Sequence, residues 1–319
     1  MKVLVVTNMY PSDGDVSWRG SFVKEQVESY KYQYGDVVVD VFHIKGRVSA
    51  GSNFNYITSL PSLLFKLFFG RYDVVHCHHA FCVLLCVPWF FRLIYTVHEG
   101  ELNNTSWRST LIKLAISLSK IPIFVSHAEY LKSKSRSKHF LPCGINFALF
   151  KPVGNKVDLR SSLGISSGKF VILFPADPCR PEKRAGVLRE VQSMSEKDNK
   201  SWEYIYGGNI SRSEMPLWMA ASSVVVSIGE YESDGVVIKE AMACNTPVLA
   251  SDVGNAKLYL NEGSGLIVSS EPNEVYRALN NISEHPWLFS DGRKKLVLLG
   301  QDATSTVKTL HSIYKESVY

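Results

Sequence analysis

Apolar residues in this chain come in short unbroken runs separated by stretches with helical spacing. Residues 2–7 (KVLVVT) are apolar without alternation, the mark of a parallel strand buried on both faces. A polar loop follows at Asn8-Met9-Tyr10-Pro11 and ends at Gly20, after which Phe22, Val23, Val27 and Tyr30 fall on one side of a helix. Further strands are expected at 36–42, 73–78, 93–97, 121–126 and 139–141, with helical stretches between them. Residues 151–155 (KPVGN) read as a linker, and the rhythm then restarts. A helix is expected at 158–163, and strands at 170–174, 203–206, 224–227, 247–250 and 266–268. Strand and helix alternating through both halves predict an α/β chain with two Rossmann-like domains, each on a parallel sheet. The expected divisions are 1–150, 151–290 and a helical segment 291–319, in which Leu310, Ile313 and Tyr314 share a face able to pack on the first domain. Ligands in such sheets collect at the carboxyl ends of the strands, so the default site is a cleft between the two domains.

One stretch, 227–254 (SIGEYESDGVVIKEAMACNTPVLASDVG), carries the densest candidate chemistry. It spaces Glu232 and Glu240 eight residues apart, with Asp234-Gly235 between them and a helical pattern after Gly235. A helix start at Gly235, Val236 and Val237 offers free backbone N–H groups and partial positive charge to an anion such as a diphosphate. Glu240, about a turn further on, is placed to accept hydrogen bonds from ribose hydroxyls. The competing reading is dipole stabilisation of a carboxylate near a helix start, worth about 0.3–1 kcal/mol. It accounts for Glu232 better than for Glu240, which is followed by the apolar AMAC.

Composition narrows the partners. The 319 residues are 45% apolar and 20% charged, enough to fill two sizeable cores without low-complexity tracts. Of 35 Lys+Arg and 30 Asp+Glu, 16 and 10 fall in the first 150 residues, leaving 19 and 20 for the rest. The net charge of +5 therefore sits in the first half. Without a dense basic run it argues against nucleic acid and suits an anionic membrane surface or a phosphorylated acceptor. The six cysteines (77, 82, 86, 143, 179, 244) show no C-x-x-C spacing and are expected as reduced, buried thiols. Met1-Lys2 leads directly into the first strand, so a cytoplasmic chain is expected.

Three other places qualify as candidates. Arg180, Lys183 and Arg184 lie on the loop after the strand FVILF, where fixed positive charge could meet a departing diphosphate; an ordinary solvated loop is the alternative. Gly207, Gly208 and Asn209 form a turn where backbone can approach a flat ligand. His98 ends a strand, a position that raises a histidine above a merely structural role. His76 and His78 alternate onto one face and His79 onto the other, without supporting Cys or carboxylate spacing, so no metal is expected. Residues 59–72 (SLPSLLFKLFFGRY) combine Leu63, Leu64, Phe65, Leu67, Phe68 and Phe69 with Lys66 and Arg71, and read either as a core helix or as a surface that docks on lipid.

Together these residues resemble the retaining glycosyltransferases of family GT4. The segment from Glu232 to Glu240 is similar to their E-x7-E signature. Tyr10-Pro11 with Gly20-Ser21-Phe22-Val23 and Gln26 resembles the first loop and helix, Asp73-Val74-Val75-His76-Cys77-His78 the D-hydrophobic-H-x-H strand end, and Thr96-Val97-His98 the T-x-H strand end. Leu141-Pro142-Cys143-Gly144-Ile145-Asn146 with Phe150 resembles the element closing the first domain, and Glu182-Lys183 the P-E-K loop. The likeness runs through nearly the whole chain in order.

The resemblance implies a GT-B fold, two Rossmann-like domains facing across a cleft. It implies transfer of a hexose or N-acetylhexosamine from a nucleotide diphosphate sugar, UDP favoured, with retention and without a metal or other cofactor. The implied acceptor is a lipid-diphosphate-linked glycan of surface polysaccharide of the O-antigen type, on the cytoplasmic face of a membrane that the first domain touches. Catalytic roles fall on Glu232 (towards the sugar), His98 (over the sugar), Lys183 and Arg180. Donor contacts fall on Glu240, Gly235, Val236, Val237, Gly208, Asn209, Gly20 and Arg184.

The departures are specific. The family's Glu-Gly-Phe-Gly is here Glu232-Ser233-Asp234-Gly235, which makes Ser233 and Asp234 the expected seat of donor selectivity. The paired glycine of the first loop is reduced to Gly20 after Arg19, and Pro178 stands where a phosphate-binding Arg is usual, leaving Arg180 or Arg184 for that role. A nucleotide-sugar 2-epimerase of the same fold and a non-catalytic nucleotide- or glycan-binding module are the alternatives.

Overall fold

The computed structural model describes residues 1–11, 20–46, 52, 54–98, 106–260 and 263–318; Arg19, Glu99 and Gly100 lie outside them. The chain forms two compact units, Met1–Gly144 with Ala303–Tyr319, and Ile145–Asp302.

The first unit is a six-stranded parallel sheet of β1 (Lys2–Thr7), β2 (Val38–His43), β3 (Val74–Cys77), β4 (Leu93–Val97), β5 (Ile121–Phe124) and β6 (His139–Phe140), in the order β2-β1-β3-β4-β5-β6. In register, Val5 of β1 lies beside Val41 of β2 and His76 of β3. Both faces are covered, which explains why β1 has no polar alternation. Val3 and Val5 pack with residues of α1 (Ser21–Gln33) and of the final helix. Leu4 and Val6 pack under α3 (Leu60–Phe69), α4 (Ala80–Leu85) and α5 (Trp107–Leu118), with α2 (Asn55–Thr58) leading into α3. A helix α6 (His127–Lys132) connects β5 to β6.

The stretch at 59–72 is a core helix on one side only. Leu63 and Leu67 of α3 are buried in the core, while Phe65, Phe68 and Phe69 are 66%, 67% and 72% exposed. Phe68 meets Trp89 edge-on at 4.7 Å, and Trp89 sits in a 3₁₀ turn (Val87–Arg92) whose Phe90 and Phe91 are also exposed. Between that turn and the end of α5 lies a cavity of about 500 Å³ lined by Val87, Phe90, Phe91, Leu118 and Lys120.

The second unit opens with α7 (Lys156–Ser162) and holds a five-stranded parallel sheet. Its strands are β7 (Phe170–Phe174), β8 (Trp202–Tyr206), β9 (Val224–Ser227), β10 (Val248–Ser251) and β11 (Gly265–Val268), in the order β11-β10-β9-β7-β8. One face packs on α9 (Met215–Ala221), α10 (Val236–Ala243), α11 (Ala256–Tyr259) and α13 (Gly292–Leu298). The other packs on α8 (Ala185–Lys197) and α12 (Pro272–Glu284). The chain ends in α14 (Ala303–Val318).

The boundaries differ from 150/151 and 290/291. Ile145 and Phe150 are core residues of the second unit, and the Ile145 N–H donates to the Gln301 carbonyl at 2.9 Å. Arg293 adds three hydrogen bonds, to the carbonyls of Phe147, Phe150 and Ala243 at 3.0, 2.8 and 2.7 Å. These bonds hold 145–150 and α13 to α10. Of the segment 291–319, only α14 belongs to the first unit, where Leu310, Ile313 and Tyr314 are buried. Five cysteines are buried free thiols, but Cys179 is exposed, contrary to expectation.

Candidate functional site

In the second unit three loops converge at the carboxyl ends of β7, β9 and β10. The loop after β9 is tied to its neighbours by backbone: the Glu230 N–H donates to the Glu182 carbonyl at 2.9 Å, and the Ser251 hydroxyl to the Gly229 carbonyl at 2.6 Å. This contact brings Lys183, in the 3₁₀ turn Pro181–Lys183, to Glu232, and the two form an ion pair. Both are mostly shielded, with side chains 17% and 22% exposed. Arg184, in a left-handed conformation at the start of α8, pairs with Glu230 at 3.1 Å. Arg180 instead pairs with Glu182 of its own loop at 2.7 Å.

Gly235 caps α10 with φ +83°, a conformation that favours glycine, and turns the chain from the loop into the helix. The first N–H groups of α10, at Val236 and Val237, follow it. Glu240, a turn later, is 1% exposed and pairs with Arg212 at 2.5 Å; the Arg212 guanidinium also lies over the Phe150 ring, 5.0 Å from its centroid. Arg212 was not singled out from sequence. The signal was there in principle, because a carboxylate on the apolar face of a buried helix needs a cation, but nothing local says which one. Gly207 and Gly208 have a packing reason of their own: a Cβ at Gly207 would meet the Pro175 carbonyl oxygen at 2.4 Å, and one at Gly208 the Pro178 ring at 2.9 Å. Asn209 beside them is exposed.

Asp234 corrects an expectation. It is 3% exposed and turned inward, where Lys239 donates to its Oδ2 at 2.7 Å, Asn255 to its Oδ1 at 2.9 Å, and the Tyr259 hydroxyl to the same oxygen. Ser233 is the outward residue of the pair, its hydroxyl 3.2 Å from that of Tyr231.

The first unit carries a separate group at the carboxyl ends of β3 and β4. His98 Nε2 is 3.0 Å from His78 Nδ1, and its ring lies 4.7 Å from that of Phe22. His76 bonds Thr96 Oγ1 and the Tyr314 hydroxyl, each at 2.7 Å, so α14 is joined to the histidines under the site. Burial holds His76 neutral, with its pKa pulled down to about 3 and the nearby His98 adding to the effect; His78 is lowered for the same first reason. His79 instead caps α4, accepting from the Phe81 N–H. Gly20, with φ +69°, lies where a Cβ would meet the Met9–Tyr10 backbone at 2.5 Å. Chemically, the second-unit group combines a helix start, a shielded lysine and a buried carboxylate, which suits an anion joined to a diol. In the first-unit group the buried His76 and His78 back the His98 ring.

Residues 186–297 match the family model described as Glycosyl transferases group 1. Among curated relatives, the D-inositol 3-phosphate glycosyltransferase of Streptomyces bingchenggensis is 26% identical over 182 residues, 46% of this chain and 40% of that protein. The chain thus spans well under two thirds of that relative's length. Among solved structures, sucrose-phosphate synthase of Thermosynechococcus elongatus matches with a TM-score of 0.78 at 19% identity, covering 99% of both chains. HepE of Anabaena, in complex with UDP-glucose, matches with a TM-score of 0.71 at 16% identity, covering 99% of this chain and 100% of that one. The fold is that of GT-B glycosyltransferases, with two parallel-sheet Rossmann-like domains, and the match to the group 1 glycosyltransferase model lies in its second unit.

Proposed function

We propose that this chain is a retaining glycosyltransferase that moves a hexose or N-acetylhexosamine from a UDP-sugar to a lipid-diphosphate-linked glycan in surface polysaccharide synthesis. The observation that carries the reading is the Lys183–Glu232 pair beside the start of α10, with Glu240 buried one turn on; both glutamates fall inside the segment that matches group 1 glycosyltransferases. The UDP-glucose bound by HepE supports UDP as the donor nucleotide.

In this reading the start of α10 and Lys183, helped by Arg180 or Arg184, stabilise the diphosphate as it leaves. Glu240 holds the ribose, and Glu232 faces the sugar. Gly208 and Asn209 line the donor; the roles of His98 and Gly20, in the first unit, rest on the resemblance to the family alone. The acceptor hydroxyl attacks from the face the diphosphate leaves, and a phosphate oxygen takes the proton, so no metal takes part. The exposed aromatic face of α3 and its basic surroundings support contact with an anionic membrane on the cytoplasmic side. No helix among the described residues is long and apolar enough to cross a membrane.

The test is a panel of nucleotide sugars offered with lipid-diphosphate-linked sugars and with polyol phosphates, in buffer with and without EDTA. Transfer to the lipid-linked acceptor, with anomeric configuration kept and EDTA without effect, is expected. Transfer to a polyol phosphate would overturn the acceptor, turnover of donor alone would favour a 2-epimerase, and nucleotide binding without turnover a binding module.

A further inference from the structure

We propose that Asp234 is a positioning residue, which locks the loop between β9 and α10 so that Glu232 stands against Lys183. The proposal rests on the reading of Glu232 as the carboxylate facing the donor sugar. Only Ser233 separates the two residues, and they point in opposite senses: Glu232 to the shielded lysine, Asp234 into the core.

The carboxylate of Asp234 ties the loop after β9 to α10 and α11. Lys239, fully buried on α10, donates to it at 2.7 Å and also reaches the Gln301 side chain at 3.3 Å. Asn255 and Tyr259, at and beyond the start of α11, donate to its other oxygen, and the Asn255 amide lies 3.2 Å from the Tyr259 hydroxyl. The Lys239 ammonium also sits 5.1 Å from the centre of the Tyr259 ring. From the side, the loop meets Gly254, where a Cβ would lie 2.9 Å from the Glu232 carbonyl oxygen and 3.0 Å from that of Ser233. With Glu230 bonded to Glu182, the backbone from 230 to 235 is held on three sides.

An apolar pair of similar volume would fill the same space with less desolvation, and replacing buried ion pairs in that way often preserves stability. What an apolar pair lacks is direction. A carboxylate bonded by three donors has one orientation, and the backbone on either side of it inherits that orientation. The role assigned to Asp234 is therefore geometric, and it separates from stability by experiment.

The variants are Asp234→Asn, which keeps the shape and removes the charge, and the double substitution Asp234→Leu with Lys239→Met, which replaces the ion pair by apolar groups. Thermal midpoints, affinity for UDP, GDP and ADP by calorimetry, and kcat and KM for the accepted donor sugar are measured for each. Nucleotide affinity within twofold of wild type, with kcat at least tenfold lower in both variants at a temperature where each is folded, is the expected result. A kcat within twofold of wild type in either folded variant, or a fall in nucleotide affinity matching the fall in kcat, would overturn the positioning role. A wild-type protein that binds none of the three nucleotides and turns over no donor would overturn the glycosyltransferase reading itself.

Discussion

At the scale of single residues, the site is a set of charges that neutralise one another across loops. Lys183 and Glu240 are the two whose removal bears most directly on the donor. Lys183→Ala and Glu240→Ala are each expected to lower donor kcat/KM at least tenfold, about 1.4 kcal/mol, with circular dichroism unchanged. Wild-type kinetics in both would mean that the donor binds elsewhere. Arg212 has a different signature, because Glu240 is buried and Arg212 nearly so. Arg212→Met strands a buried carboxylate and is expected to cost roughly 3 kcal/mol. Adding Glu240→Gln to it removes the stranded charge, so the double variant should be more stable in urea than the single. Additive losses would show that the two side chains are not coupled.

At the scale of elements, α14 and the histidines make a pH-sensitive joint within the first unit. His76 is fully buried between Thr96 and Tyr314, and burial pulls its folded pKa down to about 3 from the ordinary histidine value of about 6.5. Its folded value is depressed, so the unfolded chain binds more protons between those limits. Stability is therefore full above pH 6.5 and lost as the pH falls towards 3. The loss at pH 5 is about 2 kcal/mol from this group alone, to which the lowered His78 adds in the same direction. Urea titrations at pH 7 and pH 5 should show it, and His76→Gln should flatten the dependence; an unchanged slope would relieve His76 of the role. These elements also show what the sequence can carry. The strands were legible because burial on both faces writes unbroken apolar runs, and the corner 227–254 because Gly235 and the two glutamates are local signals. The junction near 145–150 was not, because it depends on Arg293 reaching three carbonyls from far along the chain. The same distance hid Arg212 from Glu240 and His98 from His78. Asp234 misled because its neighbours Asn255 and Tyr259 come twenty residues and more later.

At the scale of the whole molecule, the excess of positive charge and a cluster of exposed phenylalanines lie in the same unit. Between Phe54 and Glu129 the chain carries Lys66, Arg71, Arg92, Arg108, Lys113 and Lys120 against Asp73, Glu99 and Glu101. On α3 and the turn before β4, Phe65, Phe68, Phe69, Phe90 and Phe91 are between 47% and 72% exposed, with Arg92 lying over Phe91 at 5.3 Å. Aromatic residues flanked by cations suit the headgroup region of an anionic bilayer, where each nearby Lys or Arg contributes about 1 kcal/mol. Lys66→Gln with Arg71→Gln should therefore weaken association with phosphatidylglycerol-containing vesicles roughly thirtyfold at low salt, about 2 kcal/mol. Phe68→Ser with Phe69→Ser should weaken it at every salt concentration. The charge part fades as the screening length drops from about 10 Å at 0.1 M salt to about 3 Å at 1 M, whereas the aromatic part does not. Co-sedimentation across that range separates the two contributions. Failure of the wild type to bind anionic vesicles at low salt would sink the membrane reading and leave a water-soluble phosphorylated acceptor as the explanation of the basic half.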